Sequence, residues 1–217
     1  MTKVYPKTVL PPLVTSDRQR FFTESSTVGR NVNPVVLTVW KKSLLFNCDG
    51  FTVYDTKGNL VFRVDNYAAS NKAEVVLMDC AGHSLLTIRR KRLSLPDSWL
   101  VYDGENKVNP RFSATKHVNF LNTKSLAHVS TTIGSPKNGN KKNIAYEIEG
   151  SYAQRCCVVY DDKRRRVAEI KRKEAVRGVA LGGDVFCLVV QPEIDPTIAM
   201  TLIVLLDQMF GGSSRRF

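Results

Sequence analysis

Four stretches of the chain repeat one arrangement of apolar and polar positions: an alternating strand, an Asp, a short turn, then a second strand that in most cases ends in basic residues. They are FTVYDTKGNLVFRV (51–64), VVLMDCAGHSLLTIRRKR (75–92), WLVYDGENKV (99–108) and CVVYDDKRRRVAEIKRK (157–173). A period of two in runs rich in β-branched and aromatic residues predicts half-buried strands. Asp55, Asp79, Asp103 and Asp161 each open a turn, where a carboxylate can bond nearby backbone, and Gly58, Gly82 and Gly104 admit positive φ. The expectation is a series of β-hairpins. VVLTVWKKSLLF (35–46), AYEIEGSY (145–152) and DVFCLVVQPEI (184–194) also have strand character. Between Gly104 and Asn143, KHVNFLN and LAHVSTT are candidate strands, and SPKNGNKKN (135–143) reads as a mobile basic loop.

The pattern changes at the end. In DPTIAMTLIVLLDQMFGG, Asp195 stands as a helix N-cap, Pro196 as the first helical residue and Gly211 as the C-cap. Ile198, Ala199, Met200, Leu202 to Leu206, Met209 and Phe210 point in nearly every direction around that helix, which leaves no solvent face. Fourteen residues span roughly 21 Å, short of a ~30 Å hydrocarbon core. The helix must therefore be surrounded by the rest of the chain. Many antiparallel strands and one all-round apolar helix combine most simply as a closed barrel about the helix at 196–210. A sandwich would need a polar helix stripe, and only Thr197, Thr201 and the Asp207-Gln208 pair are available.

The 217 residues are 43% hydrophobic and 24% charged, which excludes disordered, collagen-like and coiled-coil chains. The expected organisation is a flexible segment at 1–25, one barrel domain over 26–212, and a basic tail at 213–217. The five cysteines form no CxxC and no even framework, so structural disulfides are not expected. Vicinal Cys156 and Cys157 fall on opposite faces of one strand, one in the core and the other exposed. The opening MTKVYPKTVLPPLVT lacks the apolar run of a secretory leader, Thr2 stands where myristoylation needs Gly, and the final SRRF offers no prenylation site. The expectation is an intracellular protein, in the cytoplasm and at the inner face of the plasma membrane, with the nucleus as an alternative.

Catalytic signatures are absent from the sequence. His83, His117 and His128 are scattered, neither GxSxG nor HExxH occurs, and Gly182-Gly183 precede a strand rather than a helix. The four turn aspartates sit on separate hairpins and do not form a calcium loop. No enzyme, cofactor or metal is expected.

Taken in order, FTVYDTKGNLVFRVDNY, VVLMDCAGHSLLTIRRKR with SWLVYDG, CCVVYDDKRRRVAEIKRK and DPTIAMTLIVLLDQM resemble the plant LURP-one-related family, over roughly residues 30 to 210. That family is similar in fold to the tubby C-terminal domain and to phospholipid scramblases. The resemblance implies a mainly β fold, a closed barrel of about twelve antiparallel strands around a central hydrophobic C-terminal helix. It also implies links to plant defence and, by way of tubby proteins, phosphoinositide binding or membrane-tethered transcription regulation. It supplies no catalytic motif, and no lipid-binding residues of tubby carry over to this chain.

The site expectation rests on charge. Lys and Arg number 32 against 20 Asp and Glu, a net of +12. Residues 163–177 hold eight Lys/Arg and two Glu, and Arg89, Arg90, Lys91 and Arg92 form a second run. Such a field attracts phosphate-bearing partners. With Ile88 and Ile170 facing inward, Arg89, Lys91, Lys171 and Lys173 point outward and are the candidate contacts to anionic phospholipid headgroups. Arg90, Arg92 and Arg172 have the inward parity and are either rim residues, where the strand has ended, or buried cations that need partners. Arg164, Arg165 and Arg166 fall in a turn that could also touch a membrane. If the hairpins are arranged alike, the two basic runs share one patch. Nucleic acid is the rival partner for the same surface, although zinc spacing, a basic recognition helix and an RNP-like segment are all missing.

Overall fold

Short alternating runs separated by turn residues fold as the period of two requires. The computed structural model describes residues 33–42, 44, 49–66, 74–91, 97–106, 108–117, 124–132, 143–174 and 182–211. The expected flexible segment at 1–25, the tail at 213–217 and all of the 135–143 loop except Asn143 lie outside the described residues. The strands are β1 (Val35–Trp40), β2 (Asp49–Tyr54), β3 (Leu60–Asn66), β4 (Glu74–Asp79), β5 (Ser84–Arg90) and β6 (Ser98–Asp103), then β7 (Phe112–Lys116), β8 (Ser125–Thr131), β9 (Ile144–Ser151), β10 (Cys156–Asp161), β11 (Arg166–Arg172) and β12 (Val185–Val190). Each pairs antiparallel with its sequence neighbours, and β1 closes on β12, so the twelve form one barrel.

Inside it runs α1 (Pro196–Phe210). Every residue from Ile198 to Leu206 is buried, as is Met209. The inward positions of the strands, such as Leu37 and Val39 on β1 or Phe186 and Leu188 on β12, close around it. The Asp195 carboxylate accepts from the Thr197 N–H at 2.6 Å, which satisfies one of the free donors at the helix start. Thr201, buried among apolar groups, donates its hydroxyl to the Thr197 carbonyl at 2.8 Å. Gly211 closes the helix through its N–H to the Asp207 carbonyl, with φ −75° rather than the left-handed conformation usual for a C-cap glycine. Among the described residues no helix is long and apolar enough to cross a membrane.

Three turns share one construction. Asp55 Oδ1 accepts from the N–H of Lys57 and Asn59, Asp79 Oδ1 from those of Ala81 and His83, and Asp161 Oδ1 from those of Lys163 and Arg165, all at 2.8–3.0 Å. The fourth residue of each turn has positive φ: Gly58 at 85°, Gly82 at 90° and Arg164 at 60°. Asp103 departs from this expectation. Its carboxylate pairs with Arg111, and the chain makes a longer turn before β7 begins at Phe112. WLVYDGENKV is therefore one strand and the start of a turn, not a hairpin. Of the expected run KHVNFLN, Lys116 ends the strand FSATK, His117 lies just past it, and the remaining residues lie outside the described ones. That strand carries two inward side chains, Phe112 and Ala114, too few to register as an apolar period.

Cys157 is wholly buried and Cys156 exposed, as strand alternation requires. Burial pushes the Cys157 thiol up to about 12. We expect iodoacetamide at mildly alkaline pH to label Cys156 in the native protein while Cys157 stays unmodified until denaturant is added, which tandem mass spectrometry of that peptide would read. Equal labelling of the two would mean that β10 is misplaced.

Candidate functional site

Antiparallel pairing throughout sends all odd-numbered strands the same way, so their C-terminal ends share one rim. α1 follows β12, enters at the opposite rim and ends among these odd-strand ends. We call the two the exit rim, where α1 ends, and the entry rim, where it begins. The geometry divides the expected basic patch in two ways. First, Arg164, Arg165 and Arg166 lie at the entry rim, whereas Arg89, Lys91, Lys171 and Lys173 lie at the exit rim. The seven residues of β11 separate the two groups by roughly 20 Å. Second, β5 and β11 stand six places apart in a ring of twelve, on opposite walls of the barrel. The two basic runs therefore do not form one patch. Hairpin similarity set their height on the barrel correctly but carried no information about their position around it.

Several of the expected contact residues are already paired. Arg89 donates to Glu74 at 2.8 Å, stacks 4.8 Å from the Tyr102 ring and keeps only 19% of its side chain exposed. Its guanidinium is held further toward the charged form by the Glu74 hydrogen bond. Arg164 bridges Glu147 and Glu149 at 2.6 and 2.9 Å and lies over the Tyr160 ring. Arg165 binds Asp161 at 2.7 Å. Burial alone would push the Asp161 carboxyl up, but the Arg165 N–H and guanidinium hold it below the usual carboxylate range. Arg166 and Lys171 share a single carboxylate, Glu169. The entry rim also carries acids: an open groove of about 430 Å³ there is lined by Asp161, Asp162 and Glu193, with Arg165 as the one cation among its described residues. That end is poorly suited to an anion.

At the exit rim one set of polar groups fastens the end of α1. Lys41 Nζ donates to the Gly211 carbonyl at 3.1 Å and pairs with Asp207 at 2.8 Å, and Tyr152 donates its hydroxyl to Asp207 at 3.0 Å. Lys116 Nζ donates to the Met209 carbonyl at 3.1 Å and sits 4.5 Å from the Phe210 ring. Arg155 lies between the Tyr152 and Phe186 rings and donates to the Gly183 carbonyl. Burial, then the Asp207 charge, pushes the Tyr152 phenol far up, so it remains a hydrogen-bond donor. Cations at a helix C-terminus offset its partial negative charge. Lys41 and Lys116 therefore serve the fold.

What remains is a sector where β11, β12 and β1 meet the exit rim. Lys42 lies 5.1 Å from the ring of Trp40, which is exposed. Lys173 donates to the Thr38 hydroxyl at 2.6 Å. Arg172 donates to the Gln154 carbonyl. Among the described residues no carboxylate pairs with Lys42, Arg172 or Lys173 within salt-bridge distance. Lys171 is about half exposed, and its pair with Glu169 is of the kind worth ~0–1 kcal/mol. It can be exchanged for a phosphate at small cost. On the far wall Lys91 is exposed just past the end of β5, while Arg90 pairs with Asp97 over the Trp99 ring. Of the two alternatives for the inward-parity arginines, Arg90 and Arg172 are exposed rim residues rather than buried cations, and Arg92 lies outside the described residues.

The family model described as LURP-one-related matches residues 35–207, from the first strand into the last turn of the helix. The chain belongs to the LURP-one-related family. It is 56% identical to protein LURP-one-related 8 of Arabidopsis thaliana over 183 residues, covering 82% of this chain and 89% of that protein. It is 47% identical to LURP-one-related 17 of the same plant, over 81% and 83%. An X-ray structure of another Arabidopsis thaliana protein superimposes with a TM-score of 0.60, covers 81% of this chain and 91% of that one, and is 23% identical, a likeness of fold. In this LURP-one-related barrel the residues overlooked by charge counting are Trp40 and Lys42. The signal for them was present: VVLTVW alternates, which puts Trp40 outward, and two lysines follow it directly.

Proposed function

We propose that the protein is a non-catalytic binding module that holds anionic phospholipid headgroups, phosphoinositides among them, at the inner face of the plasma membrane. The observation that carries this reading is the gathering of Lys42, Arg172 and Lys173, without a carboxylate partner among the described residues, and Lys171, in a weak surface pair, on adjoining strand ends, whereas Arg89, Arg164, Arg165 and Arg166 are engaged by carboxylates and Lys91 stands alone on the far wall. Each Lys or Arg close to an anionic leaflet contributes about 1 kcal/mol. Three or four such charges sum to ~3–4 kcal/mol, a weak and reversible attachment. A part in plant defence signalling belongs to the same proposal and rests on family membership alone.

Vesicle sedimentation tests it. The protein should pellet with phosphatidylcholine vesicles that contain phosphatidylserine or phosphatidylinositol bisphosphate and stay in solution with phosphatidylcholine alone. The double variant K171E/K173E removes two attractive charges, or about 2 kcal/mol, and should weaken that binding roughly thirtyfold or more. Equal pelleting with neutral and anionic vesicles would overturn the reading. Retention on duplex DNA with a steep salt dependence, and none on vesicles, would favour the nucleic-acid alternative.

A further inference from the structure

We propose that the outer wall formed by β1 and β12 is a bilayer-contacting face, so that the ligand is an assembled anionic lipid surface and not a soluble phosphate. This rests on the anionic-membrane reading above and adds the face and the depth of contact.

Strand alternation fixes which side chains form that wall. On β1, Leu37 and Val39 are buried inside the barrel, so Val36, Thr38 and Trp40 point out. On β12, Phe186, Leu188 and Val190 are buried, so Val185, Cys187 and Val189 point out. The register sets these outward residues side by side: Trp40 opposite Val185, Thr38 opposite Cys187, Val36 opposite Val189. A solvated antiparallel strand normally alternates apolar-in and polar-out. Here the outward row is itself apolar except for Thr38. Val36 and Trp40 are each 39% exposed. Large exposed apolar groups are otherwise few among the described residues, with Val108 and Ile144 elsewhere.

The margin of the stripe is cationic. Lys42 lies by the Trp40 ring, Lys171 is in register with Cys187, and Lys173 reaches Thr38. Burial raises the Cys187 thiol, while the charges of Lys173 and Lys171 beside the stripe pull it down. The acids nearby include Glu169, in register with Val189 and already shared by Lys171 and Arg166, the exposed Glu174 that follows Lys173, and Asp184 at the rim. An apolar row with one Trp and a lysine border matches a headgroup layer over acyl chains. The ring and the valines enter the boundary while the ammonium groups stay with phosphates. A protein partner fits less well, because Lys is depleted from protein interfaces, where Arg replaces it.

Tryptophan fluorescence of the full chain tests this, because the protein has two tryptophans and the second, Trp99, is buried inside the barrel. With phosphatidylcholine vesicles containing phosphatidylserine, we expect Trp40 emission to shift to shorter wavelength and to be quenched by brominated acyl chains. In W40S the quenching should vanish and vesicle affinity should fall about tenfold, the worth of removing one large apolar side chain from the interface. V36S should lose a smaller part, and W40F should recover most of the affinity. Vesicle binding with Trp40 unquenched and W40S unimpaired would overturn this face while leaving the anionic-membrane reading intact. Failure of the wild type to bind any anionic vesicle would remove both. A concentration-dependent dimer abolished by W40S, without quenching by lipid, would make the wall a self-interface and overturn the proposal.

Discussion

Leu205→Asp is expected to yield a chain that does not form the barrel, and Leu205→Ala a folded protein weakened by about 2–5 kcal/mol. Leu205 is 1% exposed near the middle of α1 and is enclosed by strands on every side. A methyl in place of its isobutyl group leaves a cavity that twelve hydrogen-bonded strands, closed in a ring, cannot easily contract to fill. A carboxylate there would have neither partner nor water, and an unpaired buried charge costs more than a domain of this size holds in reserve. Circular dichroism and urea titration separate the outcomes. Leu205→Ala should keep the β spectrum with a lower midpoint, and Leu205→Asp should show neither spectrum nor transition. Thr197 lies half-buried at the start of the same helix, and Thr197→Ala should change the midpoint little. If Leu205→Asp folds with a normal midpoint, α1 is not the core of the barrel, and the rims defined by its ends have no meaning.

This dependence of the fold on α1 explains which features were readable in the sequence. An apolar helix without a solvent face has few ways to be satisfied, and the alternating hairpins supply the wall, so the closed barrel follows from pattern alone. Turn positions were legible because Asp55, Asp79 and Asp161 act within five residues of chain. The site was less legible. Position along a strand gives height on the barrel, and that placed Arg89 and Lys171 correctly at one rim. Position around the ring depends on the strand order, and it set them on opposite walls. Pairing is also non-local: Arg164 meets Glu147 and Glu149 from the neighbouring hairpin, and Arg89 meets Glu74 across a strand pair. A count of positive residues treats all of these as free. Lys42 and Trp40 were undervalued for the converse reason, since their significance appears only when β12 supplies the other half of the wall. Membrane attachment of the kind proposed thus uses a minority of the net charge, selected by what each cation finds beside it.

The second large effect is expected at Gly150, on β9 next to the turn that carries Arg155. Gly150 has φ +115°, a conformation essentially restricted to glycine, and its Cα faces the β10 backbone so closely that an added Cβ would stand 2.2 Å from the Cys156 carbonyl oxygen. Both atoms belong to paired strands, with Gly150 opposite Cys157, so neither can withdraw without breaking the ladder. Strained φ costs roughly 1–3 kcal/mol and overpacking a similar amount, so Gly150→Ala should lose roughly 2–6 kcal/mol. Gly58 provides the control, since its φ is also positive at 85° but an added Cβ there would meet nothing within 4 Å. Gly58→Ala should therefore bear the conformational cost alone. Urea midpoints for the pair isolate the backbone clash, and similar losses in both would show that β9 and β10 do not approach as described. The consequence reaches function through the same strand ends. Arg172 is held by the Gln154 carbonyl of this turn and Arg155 reaches across to Gly183, so forcing β9 from β10 disturbs the margin of the cationic sector. Gly150→Ala should accordingly weaken vesicle binding even at temperatures where it remains folded, whereas Gly58→Ala, at the entry rim, should leave binding unchanged.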